Sequence, residues 1–206
     1  MSWLATHWLV VLEWTAAVIT AVSVYLAARE NIWNWPTAIV SVAMYIVVYL
    51  RAGLYSDAGL QVFFLVMSVY GWYQWLYGGE AHSELAVSRA SRRVWFWCAI
   101  IGVAFWCLDG IVMSRLKGVA FPYIDAATTT VSLIAQWMMT RKLLENWILW
   151  IVVNMVYVPV LLIKGLYPTA ALYSVLLLLA IKGLVEWRAT YMRGHAIAPH
   201  PAPTPA

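Results

Sequence analysis

Within residues 146–157, reading NWILWIVVNMVY, Trp147, Trp150, Asn154 and Tyr157 follow one another at spacings of three, four and three. On a helix that spacing puts three aromatic rings and one amide on a single face. Flat rings stack on a flat solute, and an amide both donates and accepts hydrogen bonds. The rest of the run is apolar enough to lie in lipid, where an amide needs a partner. Such a face looks inward, onto a neighbouring helix or onto a solute, and both readings are open from these residues alone.

Two other runs carry similar faces. Asp125, Thr129, Ser132 and Gln136, with Thr128 adjacent, form a polar stripe at spacings of four, three and four. A stripe of that kind is costly in lipid and faces a cavity or a partner helix. Gln61, Ser68, Trp72 and Trp75 share a face that ends in Trp72-Tyr73-Gln74-Trp75; for Gln61, binding and packing are equal alternatives. Together these faces offer amides, hydroxyls and rings with few fixed charges. That chemistry suits a neutral or singly positive ring compound bearing hydroxyls, since aromatic faces attract a cationic ring by about 0.5–2 kcal/mol each. Asp125 could add a carboxylate, but Glu13 at the equivalent place of the chain favours a structural role for both; either alone could couple to an ion. Asp109 is placed to pair with Arg115 or Lys117, and Lys182 to snorkel to an interface.

The elements that must position these faces are membrane spans. The 206 residues are 64% hydrophobic and 11% charged, with mean hydropathy +0.77, against about 25% charged in a soluble domain. The sequence is that of an all-α polytopic membrane protein. Its pI near 9.1 does not indicate nucleic-acid binding, because the basic residues sit singly or in small groups between apolar runs, as topology signals do. Cys98 and Cys107 lie inside one apolar run and make neither a disulfide framework nor a metal site. His7, His82, His195 and His200 all fall outside the spans. No catalytic constellation, metal-ligand cluster, phosphate-cradling loop or cofactor motif is present, so no enzyme and no ATP-driven pump is expected. No cleavable signal peptide is evident.

Seven runs reach spanning length, near 8–28, 33–50, 58–77, 94–114, 121–139, 146–163 and 168–187. Pro36 suits a first helical turn, Ser56 or Asp57 can cap the third helix, and Pro159 should kink the sixth or free a carbonyl. Residues 78–93 form a polar loop read as a solvated charge run, with a regulatory contact as the alternative. The Pro/Ala/His-rich tail from residue 194 reads as disordered. Arg29, Arg89, Arg92, Arg93, Arg141, Lys142, Arg188 and Arg193 fall on one side, against Arg51, Arg115, Lys117 and Lys164 on the other. That bias puts the first side in the cytoplasm, the amino terminus outside and the carboxyl terminus inside.

A shift of 112 residues aligns the chain with itself without a gap. It lays Asn34-Trp35 on Asn146-Trp147, Tyr45 on Tyr157, Gly53-Leu54-Tyr55 on Gly165-Leu166-Tyr167, Gly71 on Gly183 and Trp75 on Trp187. Fifteen of the 42 positions from 34 to 75 are identical, and upstream Glu13 falls on Asp125. The shift carries spans 1–3 onto spans 5–7. An even displacement preserves orientation, so the expected plan is two parallel three-helix repeats joined by a linker helix, with the solute between the repeats near mid-membrane. The divisions are 1–93 for the first repeat with its loop, 94–117 for the linker helix, 118–193 for the second repeat and 194–206 for the tail.

The stretches LYSDAGLQ, YGWYQW, SLIAQWMMTRK and WIVVNMVY, within a likeness spanning about residues 30–190 outside the loop at 78–93, resemble the nicotinamide riboside transporter family. The resemblance implies a SWEET-like seven-helix (3+1+3) fold and a homotrimer in the bacterial inner membrane. It implies facilitated diffusion of a phosphate-free vitamin precursor, trapped by a cytoplasmic kinase and needing no ion gradient. The family's embedded polar and aromatic positions match Gln61, Trp72, Trp75, Gln136, Trp150, Asn154 and Tyr157, the candidate substrate-binding residues. Similar motifs occur in relatives that carry thiamine, riboflavin or deoxynucleosides, so the resemblance defines the class of solute better than the solute. A vitamin-binding membrane protein that does not transport is the alternative from another class.

Overall fold

The computed structural model describes residues 3–115, 122–163, 165 and 167–196. Lys117, Lys164, Leu166, His200 and the tail beyond residue 196 lie outside these, as do the side chains of Ser56 and His195. Seven α-helices run α1 Trp3–Ala28, α2 Asn34–Arg51, α3 Tyr55–Tyr77, α4 Arg92–Ser114, α5 Pro122–Thr140, α6 Asn146–Ile163 and α7 Tyr167–Ala196. The last extends nine residues past the expected span. Four of them, α1, α4, α6 and α7, are long and apolar enough to cross a membrane. The less apolar α2, α3 and α5 are of similar length, and the polar stripes of the sequence lie on α3 and α5.

Six helices form a closed ring of neighbours: α1 on α2, α2 on α3, α3 on α5, α5 on α6, α6 on α7, and α7 back on α1. The remaining helix, α4, lies outside the ring against α5. Under the 112-residue shift the contact of α1 with α7 becomes that of α5 with α3, so the two junctions between the halves are equivalent.

The helix ends follow from local chemistry. After α2 and α6 the chain turns through Gly53 (φ +75°) and Gly165 (φ +73°), the left-handed conformation only glycine adopts freely. The Leu54 N–H reaches back to the Tyr49 carbonyl at 2.9 Å, closing a Schellman turn. The same turn ends α1 and α5, with Asn31 N–H on the Leu26 carbonyl and Leu143 N–H on the Met138 carbonyl. There the left-handed residues are Glu30 (φ +54°) and Lys142 (φ +49°), which are not glycine. At α3 the preceding residue, Leu54, makes no side-chain cap, and Asp57 sits in the first turn, where its charge favours the helix dipole. Helix α6 continues through Pro159, whose missing N–H leaves the Met155 carbonyl without its helical donor.

The ends of α1, α3, α5 and α7 meet the starts of α2 and α6 in a cluster of tryptophans. Trp35 meets Trp75 edge to face at 5.3 Å, and Trp147 meets Trp187 likewise at 5.4 Å. Trp75 and Trp187 are themselves 5.7 Å apart. Each half's first indole lies flat against a helical glycine: a Cβ on Gly71 would come within 2.3 Å of Trp35, and one on Gly183 within 2.5 Å of Trp147. Small residues permit such close approach where lipid supplies no hydrophobic drive between helices. The indole N–H of Trp75 donates to the Met139 carbonyl, and that of Trp187 to the Ala27 carbonyl, both at 3.0 Å. Residue 27 shifted by 112 is 139, so the two bonds exchange with the halves.

The loop after α3 differs from its reading as a solvated run. It makes a short 3-10 turn at Glu80–His82 and then lies along the turn between α5 and α6. Leu85 N–H bonds the Trp75 carbonyl, Ser88 N–H the Lys142 carbonyl and Leu144 N–H the Ser88 carbonyl. Val87 is buried, and Leu85 packs on the tryptophan cluster. Glu145, itself buried, accepts from Arg89 Nε at 3.1 Å and from Ala90 N–H at 2.8 Å. Asp109 makes no ion pair among the described residues, and Lys182 pairs with Glu186 one turn along α7.

Candidate functional site

Inside the ring is a cavity of about 540 Å³, large enough for a vitamin-sized molecule. Trp35 and Trp147, both on its wall, make the tryptophan cluster its floor. Depth above the floor follows from the helical rise of about 1.5 Å per residue. Gln136 is three residues before Met139, and Trp150 three after Trp147, so both stand about 5 Å above it. Asn154 stands about 10 Å above it. Glu13, Tyr49, Gln61 and Tyr173 are each fourteen residues from a floor residue of their own helix, about 21 Å up. The wall therefore has a deep tier and a mouth tier.

The deep tier is built from α5 and α6. Asn154 is buried and spends one amide hydrogen on the Trp150 carbonyl of its own helix, at 2.7 Å. Its carbonyl oxygen and second N–H are left to face the cavity. Gln136, half-buried on the neighbouring α5, makes no hydrogen bond among the described residues, and Gln61 in the mouth tier makes none either. Amides without protein partners on a cavity wall are donor–acceptor pairs for a solute or its waters. Trp150, half-buried between Trp147 and Asn154, supplies a ring edge or face beside them. The Nε1 atoms of Trp35 and Trp147 are buried with no hydrogen-bond partner, leaving two indole donors at the base of the wall.

Of the seven residues the sequence singles out, four line this cavity: Gln61, Gln136, Trp150 and Asn154. Trp75 lies beneath it, 3% exposed, with its N–H bonded to Met139 and Lys142 Nζ 4.6 Å from its ring centroid. Trp72 is 38% exposed and is not on the cavity wall. Tyr157 stands behind the wall, its hydroxyl 3.2 Å from that of Thr128 and its ring 5.2 Å from that of Tyr173, which does line the cavity. On the α5 stripe, Gln136 reaches the wall, whereas Ser132 is buried against the Thr128 carbonyl. Sequence reasoning missed Tyr49, Tyr173 and Ser41 on the wall. Tyr173 had a usable signal, since it is the counterpart of Gln61 under the 112-residue shift.

A pseudo-symmetric ring of membrane helices around a polar and aromatic cavity, stopped at one end, is the architecture of a solute transporter. The chain matches the family described as nicotinamide mononucleotide transporter over residues 10–189 and belongs to it. It is a multi-pass membrane transporter and not an enzyme. Among curated proteins it is 29% identical to the nicotinamide riboside transporter PnuC of Escherichia coli (strain K12), over 85% of each chain. It is 24% identical to the riboflavin/roseoflavin transporter RibM of Streptomyces davaonensis, over 91% of this chain and 92% of that one. A crystal structure of the vitamin B3 transporter PnuC shares the fold, with a TM-score of 0.65 over 94% of both chains at 22% identity.

Proposed function

We infer that this protein carries nicotinamide riboside across the bacterial inner membrane by facilitated diffusion. The observation that carries the reading is the deep tier, where two amides with unspent hydrogen-bonding capacity flank an indole. The indole takes the pyridinium ring, and Gln136 and Asn154 take the carboxamide or ribose hydroxyls. Among the described residues the cavity's single charged lining residue is Glu13, which suits a solute without phosphate. The relatives named for nicotinamide riboside support the same solute over thiamine or a nucleoside, and the riboflavin relative makes the comparison worth running.

The tryptophan floor is the closed gate and the cytoplasmic end. Supporting this, the floor-end connections carry Arg29, Arg89, Arg92, Arg93 and Arg141, with the amino terminus then outside and the carboxyl terminus inside. Lys142 drops out of that count as a topology signal because it is spent in a buried pair with Glu30. The two halves act as parallel three-helix repeats linked by α4 that rock about the floor, and release to the cytoplasm needs the floor's paired bonds to open. The exposed apolar residues of α4, such as Phe96, Ile101 and Leu108, face lipid or a neighbouring copy in a homotrimer. A cytoplasmic kinase traps the solute.

Calorimetry on the purified protein with nicotinamide riboside, thiamine and riboflavin in parallel tests the solute. Tight binding of nicotinamide riboside alone is the expected result. Tight binding of either other vitamin alone reassigns the solute, and binding without flux into sealed vesicles makes the protein a receptor.

A further inference from the structure

We propose that Glu13 and the tyrosines around it form a cation-selective mouth tier, separate from the deep tier and passed before it. The inference rests on the transport reading above and adds which property of the solute is read first. Among the described residues, Glu13 is the only charged side chain on the cavity wall. It makes no ion pair among the described residues. It lies within electrostatic reach of Tyr45 and Tyr49, whose rings stack at 5.6 Å with planes 19° apart. Tyr173, on the wall from the other half, lies within electrostatic reach of Tyr45 and Tyr49 and stands about 21 Å above the floor, as Glu13 and Tyr49 do.

A carboxylate without a basic partner and aromatic rings contributed by both halves are the components of a site for an organic cation. Its low-dielectric walls focus the field of the one charge along the cavity axis. Asp57 on α3 lies within electrostatic reach of Tyr49 and Tyr173, and Asp125 on α5 within reach of Tyr157 behind the wall, so the nearby carboxylates share one sign. The cation at this end of α2, Arg51, is turned onto the Trp8 ring at 5.6 Å and is not on the cavity wall. The tier stands about 10–15 Å above the amides and indole of the deep tier. It therefore acts on solute arrival more than on its final pose, and it favours a positively charged ring over an uncharged ring of the same shape.

The test compares nicotinamide riboside with its dihydro form, which keeps the carboxamide and ribose but has an uncharged ring. Initial uptake rates are measured with the full chain in sealed liposomes, for wild type, Glu13→Gln and Glu13→Asp. The Gln variant is expected to raise KM for the cation about tenfold and to leave KM for the dihydro form within about twofold, with Asp close to wild type. An unchanged ratio of the two KM values in the Gln variant overturns the mouth tier while leaving the transport reading in place. Wild-type protein that takes up neither solute overturns both. Should the Gln variant not fold, the same ratio is read on wild type against salt. The cation preference falls as ionic strength rises if Glu13 acts as proposed, and a salt-independent ratio overturns it.

Discussion

The floor and the wall of the cavity come from the same two halves, yet they treat the duplication in opposite ways. At the floor the halves match in their tryptophans and in the glycines against them. Trp35, Gly71 and Trp75 of the first are Trp147, Gly183 and Trp187 of the second, and each half donates one indole N–H to a helix-end carbonyl of the other. On the wall they diverge. Where the second half has Gln136, Trp150 and Asn154, the first has Val24, Ala38 and Val42. The gate proposed at the floor benefits from symmetry, because two equal seams open together. The solute site proposed on the wall does not, and the first half's small side chains leave room beside the second half's amides and indole.

The pseudo-axis is marked by Glu30 and Lys142, equivalent positions whose side chains meet at 3.3 Å. Both sit in the left-handed conformation, at a cost on the order of 1 kcal/mol each relative to glycine. The chain keeps charge there because the lysine, only 9% exposed at its side chain, would otherwise be buried unpaired. The largest expected effect is therefore from Glu30→Lys, which puts two cations on the axis and should cost about 3 kcal/mol or more in thermal unfolding. The swap Glu30→Lys with Lys142→Glu should recover most of it. A swap as unstable as the single reversal would show that the axis is not an exchangeable pair.

Next in size are the glycines under the indoles. Gly71→Ala and Gly183→Ala each drive a methyl into a buried tryptophan, and a loss of about 1–3 kcal/mol is expected from either. Equal losses support an equivalent floor, and a loss confined to one half breaks the comparison. On the wall the expected result is the reverse. Trp150→Ala should weaken solute binding by roughly 1–3 kcal/mol, by analogy with stacking on nucleobases. Val42→Ala, at the position equivalent to Asn154, should change affinity within about 0.5 kcal/mol. Calorimetry on the two variants decides whether the wall is asymmetric in energy as well as in composition.

Much of the floor was legible in the sequence and most of the wall was not. The length of the apolar runs marked all seven helices, and the 112-residue shift aligned the very tryptophans and glycines that build the floor. What a helical face cannot say is which neighbour it meets. Trp75 shares its face with Gln61, yet lies below the cavity because its ring is pinned by the Met139 carbonyl. The axis pair was hidden because Glu30 and Lys142 align without being alike, and identity counts pass over opposite charges. The loop after α3 read as solvated because its polar residues outnumber Leu85 and Val87, the two that hold it down.

That loop is also a place where the floor departs from equivalence. Helix α3 ends at Tyr77, whereas α7 runs on past the matching position to Ala196. Only the first half therefore sends a strap across its partner, fixed to the turn between α5 and α6. Arg89→Ala removes the charged end of that strap, but Arg89 is 64% exposed at its side chain, and water screens most of such a pair. A loss below about 1 kcal/mol is expected, with transport unchanged, because Glu145 keeps the Ala90 N–H and the Ser88 backbone bonds remain. Amide hydrogen exchange at Ser88 and Leu144 reads the strap directly. If Arg89→Ala leaves both amides protected, the strap is held by its backbone. If protection is lost along with transport, the salt bridge is part of the gate, and the two halves open by unequal steps.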